Sequence, residues 1–234
     1  MKKIIFPLLA GIMFFAMIGC GGILFAQEHE EQKEELMKNP EVILHTNYGD
    51  MRIMLYNETP KHRDNFLKLA KESYYDSTLF HRVISGFMIQ GGDPDSKNAG
   101  KNTRLGAGGP GYTIPAEFRK ELIHKKGALA AARQGDRFNP QKRSSGSQFY
   151  IVVGRKWTAD EIDMIEQQKG FKYTDEQREI YMTFGGYPFL DREYTVYGEV
   201  VEGLDVVVAI SVVDTNPADR PLEDVIIESV EIVE

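Results

Sequence analysis

The chain reads as a mainly β domain, a closed antiparallel barrel capped at its ends by two helices. Two observations predict this. From Leu79 to Val153, short apolar runs alternate with glycine-rich turns, the pattern of many short strands. The segments that read as helices flanking the strand region are only two, one opening at Thr59-Pro60 and one at Glu202 to Ile210. No fixed-period internal repeat is present.

Taken in order, Lys2-Lys3 gives a positive start and Ile4 to Ile18 an uncharged apolar run, so residues 1–26 have the form of a secretory signal. The run is short for a stable bilayer span. Met17-Ile18-Gly19-Cys20 resembles a lipobox, in which Cys20 would be lipidated and become the new N-terminus. Ile23-Leu24-Phe25-Ala26 continues the apolar character, and Ala26 before Gln27 suits ordinary signal peptidase, so both routes stay open. The expectation is an exported domain, periplasmic or anchored to the cell envelope as a lipoprotein, with the membrane engaged only through that lipid. Either route leaves the folded domain without a disulfide framework, since Cys20 is the single cysteine.

Residues 27–40 are polar and acidic and read as a tether; the folded domain is expected over 41–234. Val42 to Thr46 and Met51 to Leu55 flank Asn47-Tyr48-Gly49-Asp50, a β-hairpin signal. Thr59-Pro60 has the form of an N-cap followed by proline at the first helical position, with Phe66, Leu67, Leu69 and Ala70 as the apolar face of a helix ending near Ser73. Within about 155–187, Thr158-Ala159-Asp160-Glu161 and Thr174-Asp175-Glu176-Gln177 are both capping-box patterns, and Gly170 falls where the first helix should stop. That stretch is predicted to be an inserted helical hairpin. Val225 to Val233 reads as the closing strand.

Composition narrows the function. Hydrophobic content of 42% with 27% charged residues is ordinary for a globular chain. A net charge of −7 and a pI near 5.4, with Lys and Arg spread along the chain, argue against nucleic acid as a partner. His45, His62 and His124 lack partners at metal-ligand spacing and read as surface histidines, so no metal is expected. A monomer is expected.

The most informative stretch is Phe80-His81-Arg82-Val83-Ile84-Ser85-Gly86-Phe87-Met88-Ile89-Gln90-Gly91-Gly92-Asp93. Strand alternation sends Met88 and Gln90 to one face and Phe87 and Ile89 to the other. A cation and an amide then border an apolar patch with no obvious nucleophile nearby. Such a site can bind an apolar ring and hydrogen-bond a carbonyl beside it. Gly109 to Phe118, then Gly127 to Arg133, then Gly146-Ser147-Gln148-Phe149-Tyr150-Ile151 follow that stretch and complete four motifs in order.

Together these segments closely resemble the signatures of the cyclophilins, over about Val42 to Val233. The resemblance implies an eight-stranded cyclophilin-like barrel and peptidyl-prolyl cis-trans isomerase activity on proline-containing polypeptides, assisting folding of envelope or exported proteins without a cofactor. It assigns Arg82 as the catalytic residue, with Gln90 orienting it. Phe87, Met88, Tyr150 and Leu190 match the proline pocket, Gln148 a second groove amide, His81 a groove histidine, and Ala132 and Arg133 a segment binding substrate backbone. Departures matter: Tyr150 stands for phenylalanine, Phe189 for the tryptophan of the eukaryotic type, Tyr194 for histidine and Arg133 for asparagine. These keep an apolar pocket but remove an indole donor, so weak binding of cyclosporin is expected. Two other readings are a cyclophilin-fold proline-peptide binding module with little turnover, and a holding chaperone presenting Ile162, Ile165 and Ile180 on the insertion.

Overall fold

The computed structural model describes residues 38–233, so the signal segment, Cys20 and all but the end of the tether lie outside the described residues. Strands β1 (Glu41–Thr46) and β2 (Gly49–Leu55) pair antiparallel across the turn Asn47-Tyr48. The Thr46 hydroxyl closes that turn, donating to the Gly49 carbonyl at 2.7 Å and accepting from the Tyr48 N–H at 3.1 Å. Alternation buries Val42, Leu44, Met51, Ile53 and Leu55 completely.

The chain continues through β3 (Thr78–Leu79), β4 (Arg82–Ile84), β5 (Met88–Gly91), β6 (Thr113–Ile114), β7 (Ala128–Ala131), β8 (Ser144–Ser145), β9 (Phe149–Val152), β10 (Val196–Glu202) and β11 (Ile226–Val233). Nine of these form one curled antiparallel sheet in the order β3-β11-β1-β2-β10-β7-β9-β5-β4, and β6 pairs with β8 separately. The expectation of eight strands closed by hydrogen-bonded ladders is therefore corrected. One extended segment changes partners at Phe80-His81: β3 pairs with β11 and β4 with β5. The two ends of the sheet meet through that covalent connection rather than through a ladder.

Helix α1 (Pro60–Lys71) packs against β10 and β11. Its face carries Phe66, stacked on Tyr75 at 4.8 Å and edge-on to Phe149 at 5.6 Å. Pro60 does occupy the first helical position, but the Thr59 side chain makes no cap bond. The carboxylate of Glu117 supplies the cap instead, accepting from the Lys61 and His62 N–H groups at 3.2 and 3.0 Å. A buried anion there satisfies two orphan donors and complements the helix dipole.

His62 extends that anchor. Its ring nitrogens meet Glu117 Oε2 at 2.7 Å and Ser144 Oγ at 2.9 Å, with the residue only 2% exposed. His62 and His124, read as surface histidines, are thus interior residues. An imidazole can be buried wherever both nitrogens find partners, and partners distant in sequence supply them. His45 remains partly exposed, between Asp50 and Glu231.

The insertion forms two helices, α2 (Ala159–Lys169) and α3 (Asp175–Thr183). Thr158 and Thr174 each complete a capping box, and Gly170 ends α2 in the left-handed conformation at φ 70°. The Arg155 guanidinium and the Thr158 backbone N–H hold the Glu161 carboxyl down at about 2. Ile162 and Ile165 turn inward onto Trp157, Tyr173 and Tyr181 in a cluster of their own. The last helix, α4 (Leu204–Ile210), packs against β2.

Burial outweighs the neighbouring Glu117 and holds His62 below the ordinary imidazole value of 6.5. The unfolded chain therefore binds a proton first as pH falls, and stability is lost below 6.5. His62→Gln should lower the thermal midpoint near neutral pH and make the drop between about pH 7 and about pH 5 shallower than in the wild type. Scanning calorimetry across that range checks both parts.

Candidate active site

Arg82 and Gln90 sit opposite each other because β4 and β5 form a tight hairpin. Gly86, at φ 69°, makes the turn, and the Phe87 N–H donates to the Ile84 carbonyl at 3.1 Å. Met88 and Gln90 then share one face of β5, while Ile89 points into the main core. Phe87 does not join Ile89, as simple alternation predicts. It lies in the turn before β5, where the alternation does not yet apply, and packs on the Met88 side.

The same division runs through the neighbouring strands. Phe149 and Ile151 of β9 and Leu129 and Ala131 of β7 belong to the main core. Tyr150, Val152, Ala128, Ala130 and Ala132 form a second cluster on the opposite face. Alanines there leave room for a concave surface. Leu190 and Tyr194 cover its edge from a single helical turn at Pro188–Leu190 and the residues after it. The result is a groove of about 780 Å³, within the usual range for ligand sites.

Arg82 borders the apolar part with its side chain 41% exposed. Nε donates to Asp219 Oδ2 at 3.3 Å, and Nη1 lies 3.5 Å from Gln90 Oε1. Gln90 Nε2 donates to Gln148 Oε1 at 3.1 Å, and Gln148 Nε2 to the Gly108 carbonyl at 2.8 Å. The run fixes which end of each amide faces the arginine. Gln148 stands behind Gln90 rather than in the groove wall. Asp219 carried no sequence signal, being 137 residues from Arg82. It is held by the Val83 N–H, which donates to the Asp219 carbonyl at 2.8 Å.

The loop that accepts from Gln148 is itself anchored. Asp93, completely buried, accepts from the N–H groups of Gly106 and Gly108. A Cβ at Gly108 would come within 2.1 Å of Asp93 Oδ1, so a larger residue there has to displace the buried carboxylate that anchors the loop.

The remaining assigned residues divide. His81 lines the groove at 5% exposure, and burial keeps its imidazole below the ordinary value, hence neutral near pH 7. Arg133 is a fixed wall: it donates to the Glu193 carbonyl at 2.8 Å, pairs with Asp136 at 2.5 Å, and stacks over Tyr194 at 4.5 Å. Ala132 was expected to offer its backbone to substrate. Its N–H donates to the Gln148 carbonyl and its carbonyl accepts from the Ser145 N–H, at 3.0 and 2.8 Å, so both groups serve the fold. Phe189 is a clear correction. Its ring packs on Trp157 at 5.6 Å and Tyr187 at 6.0 Å, in the insertion cluster and not in the groove lining. The insertion supplies that aromatic neighbourhood through Trp157 and Tyr187.

Tyr150 forms part of the groove floor. Its hydroxyl meets His124 Nε2 at 3.0 Å, and burial keeps it protonated. Apolar walls, a partly exposed cation and an oriented amide can hold a saturated ring and donate to a carbonyl beside it.

Comparison with known proteins agrees with this geometry. Residues 41–232 match the family model described as cyclophilin type peptidyl-prolyl cis-trans isomerase/CLD. A Staphylococcus saprophyticus protein assigned as a peptidyl-prolyl cis-trans isomerase is 38% identical, covering 82% of this chain and 91% of its own. A Staphylococcus aureus protein of the same assignment is 36% identical over 86% of this chain and 96% of its own. The crystal structure of a Cryptosporidium parvum cyclophilin-type isomerase, 26% identical, superposes with a TM-score of 0.60 over 84% of this chain and 98% of that one. The same protein has been crystallised in the presence of the dipeptide Ala-Pro. With its fold, its groove and most of its length matched, the chain belongs to the cyclophilin-type peptidyl-prolyl cis-trans isomerase family.

Proposed function

We propose that this domain catalyses rotation about Xaa-Pro peptide bonds and does so on exported or envelope polypeptides during folding. The observation that carries the first part is a half-exposed guanidinium beside an apolar pocket of Phe87, Met88, Tyr150 and Leu190, braced by Gln90.

The reaction breaks no bond. Rotation faces a barrier of ~18–20 kcal/mol because the prolyl nitrogen shares its lone pair with the carbonyl. The pocket holds the proline ring while the acyl side swings. Arg82 hydrogen-bonds the proline's own carbonyl and donates towards the prolyl nitrogen. Donation to that lone pair favours the pyramidal nitrogen of the twisted state over the planar amide, so binding is strongest at the top of the barrier. The guanidinium has five donors, and the bonds to Asp219 and Gln90 orient it without exhausting them.

A holding chaperone would need an exposed apolar face on the insertion. Ile162 and Ile165 are 0% and 2% exposed and pack inward, and Ile180 is only partly exposed against the same cluster, so two of the three isoleucines that reading relied on are not on the surface. Support for export comes from Lys2-Lys3, the apolar run to Ile18 and the lipobox-like Cys20. Among the described residues no helix is long and apolar enough to cross a membrane.

Arg82→Ala should reduce turnover of a short Xaa-Pro peptide by at least ~100-fold, ~2.7 kcal/mol of barrier. Its thermal midpoint should change little, because the side chain is not in the core. Near wild-type activity in a protease-coupled assay sinks this mechanism. Cyclosporin should bind weakly by calorimetry, and Phe189→Trp should not recover affinity, because position 189 packs into the insertion cluster. Mass spectrometry of the mature N-terminus should find either diacylglyceryl-Cys20 or a processed Gln27; an intact Met1 on protein recovered from the cytoplasm overturns export.

A further inference from the structure

The insertion reaches the proline pocket through a run of buried polar side chains. Asp191, 3% exposed, directly follows the groove residue Leu190. Its Oδ1 accepts from both the backbone N–H and Nδ1 of His124, each at 2.7 Å. Its Oδ2 accepts from the Tyr173 hydroxyl at 2.6 Å and from the Tyr181 hydroxyl. Tyr173 precedes α3 and Tyr181 lies on it. Across the ring, His124 Nε2 meets the Tyr150 hydroxyl at the groove floor.

The direction of each bond follows from chemistry. A carboxylate only accepts, so His124 Nδ1 carries a proton. In the neutral ring Nε2 is then the acceptor, and Tyr150 donates to it. Each group satisfies the next. The Tyr150 hydroxyl, placed under an apolar pocket, is a buried donor that needs His124. His124, completely buried, needs Asp191, and Asp191 draws half of its donors from the insertion.

A second contact links the same two regions. Tyr187, near the end of the insertion, packs on the pocket residue Phe87 at 4.5 Å and on Trp157 at 6.1 Å.

We propose that Asp191, His124, Tyr173 and Tyr181 are positioning residues for the proline pocket: through them the helical insertion fixes the ring of Tyr150 and sets the affinity for the prolyl ring. The inference rests on the isomerase reading and gives the insertion a role within it. Because Arg82 acts on the rotating bond and this run acts on the pocket floor, loosening the run raises KM and spares kcat.

The test uses Tyr173→Phe and Tyr181→Phe, singly and together, in the full chain and again in a Tyr150→Phe background. In the native background each should raise KM for an Xaa-Pro peptide, by about fivefold when combined, with kcat within about twofold. In the Tyr150→Phe background neither should add an effect, since the receiving hydroxyl is gone. Equal KM changes in both backgrounds, or no change in either, overturn the proposal. A readout independent of turnover is the 13Cζ resonance of Tyr150 in tyrosine-labelled protein, which should move in Tyr181→Phe; an unmoved resonance also overturns it. If the wild type lacked isomerase activity, the functional reading alone would fail, and the resonance would still decide whether the insertion holds Tyr150.

Discussion

The two-residue period of β5, β7 and β9 is the constraint on which the rest depends. Side chains on adjacent positions must face opposite ways. Ile89, Leu129, Phe149 and Ile151 are therefore committed to the core, while Met88, Gln90, Ala130 and Tyr150 are presented together on the other face. A one-residue slip in any of these strands would exchange the core set for the groove set. Folding stability and site geometry are thereby tied to one register, with Met88 opposite Val152 and Ala130 opposite Tyr150.

Charge is placed on that surface sparingly. Arg82 stays partly in water, so the desolvation cost that a buried guanidinium would carry is avoided. Its pairing with Asp219 is equally exposed, at 42%, and such a pair orients more than it stabilises. The amides of Gln90 and Gln148 lie deeper and carry no net charge, which lets them brace the arginine from the protein side. One exposed carboxylate and one neutral amide thus orient the guanidinium and use only two of its five donors.

Buried carboxylates hold the surrounding parts together. Glu117 caps α1 and engages His62, Asp93 gathers the loop at Gly106 and Gly108, and Asp191 joins the insertion to His124. Each accepts several N–H or O–H donors, which is the condition under which an interior carboxylate is tolerated. None of these pairings is local. They connect residues 13 to 67 positions apart, and so they specify how the helices and loops dock on the sheet.

The local elements were legible because their signals are local. The Asn47-Tyr48 turn, both capping boxes and the stop at Gly170 depend on residues within a few positions of each other, and so does the face shared by Met88 and Gln90. The motif spacing likewise marked most of the groove. Tertiary structure decided whatever depends on distant partners. It withdrew Phe189 into the insertion cluster, committed the backbone of Ala132 to Gln148 and Ser145, buried His62 and His124, and replaced the Thr59 cap by Glu117. It also brought Asp219 to Arg82 and Asp191 to His124. The physical reason is the same in each case: a polar or aromatic side chain takes its role from the partner that satisfies it, and that partner is chosen by the fold rather than by the neighbouring sequence.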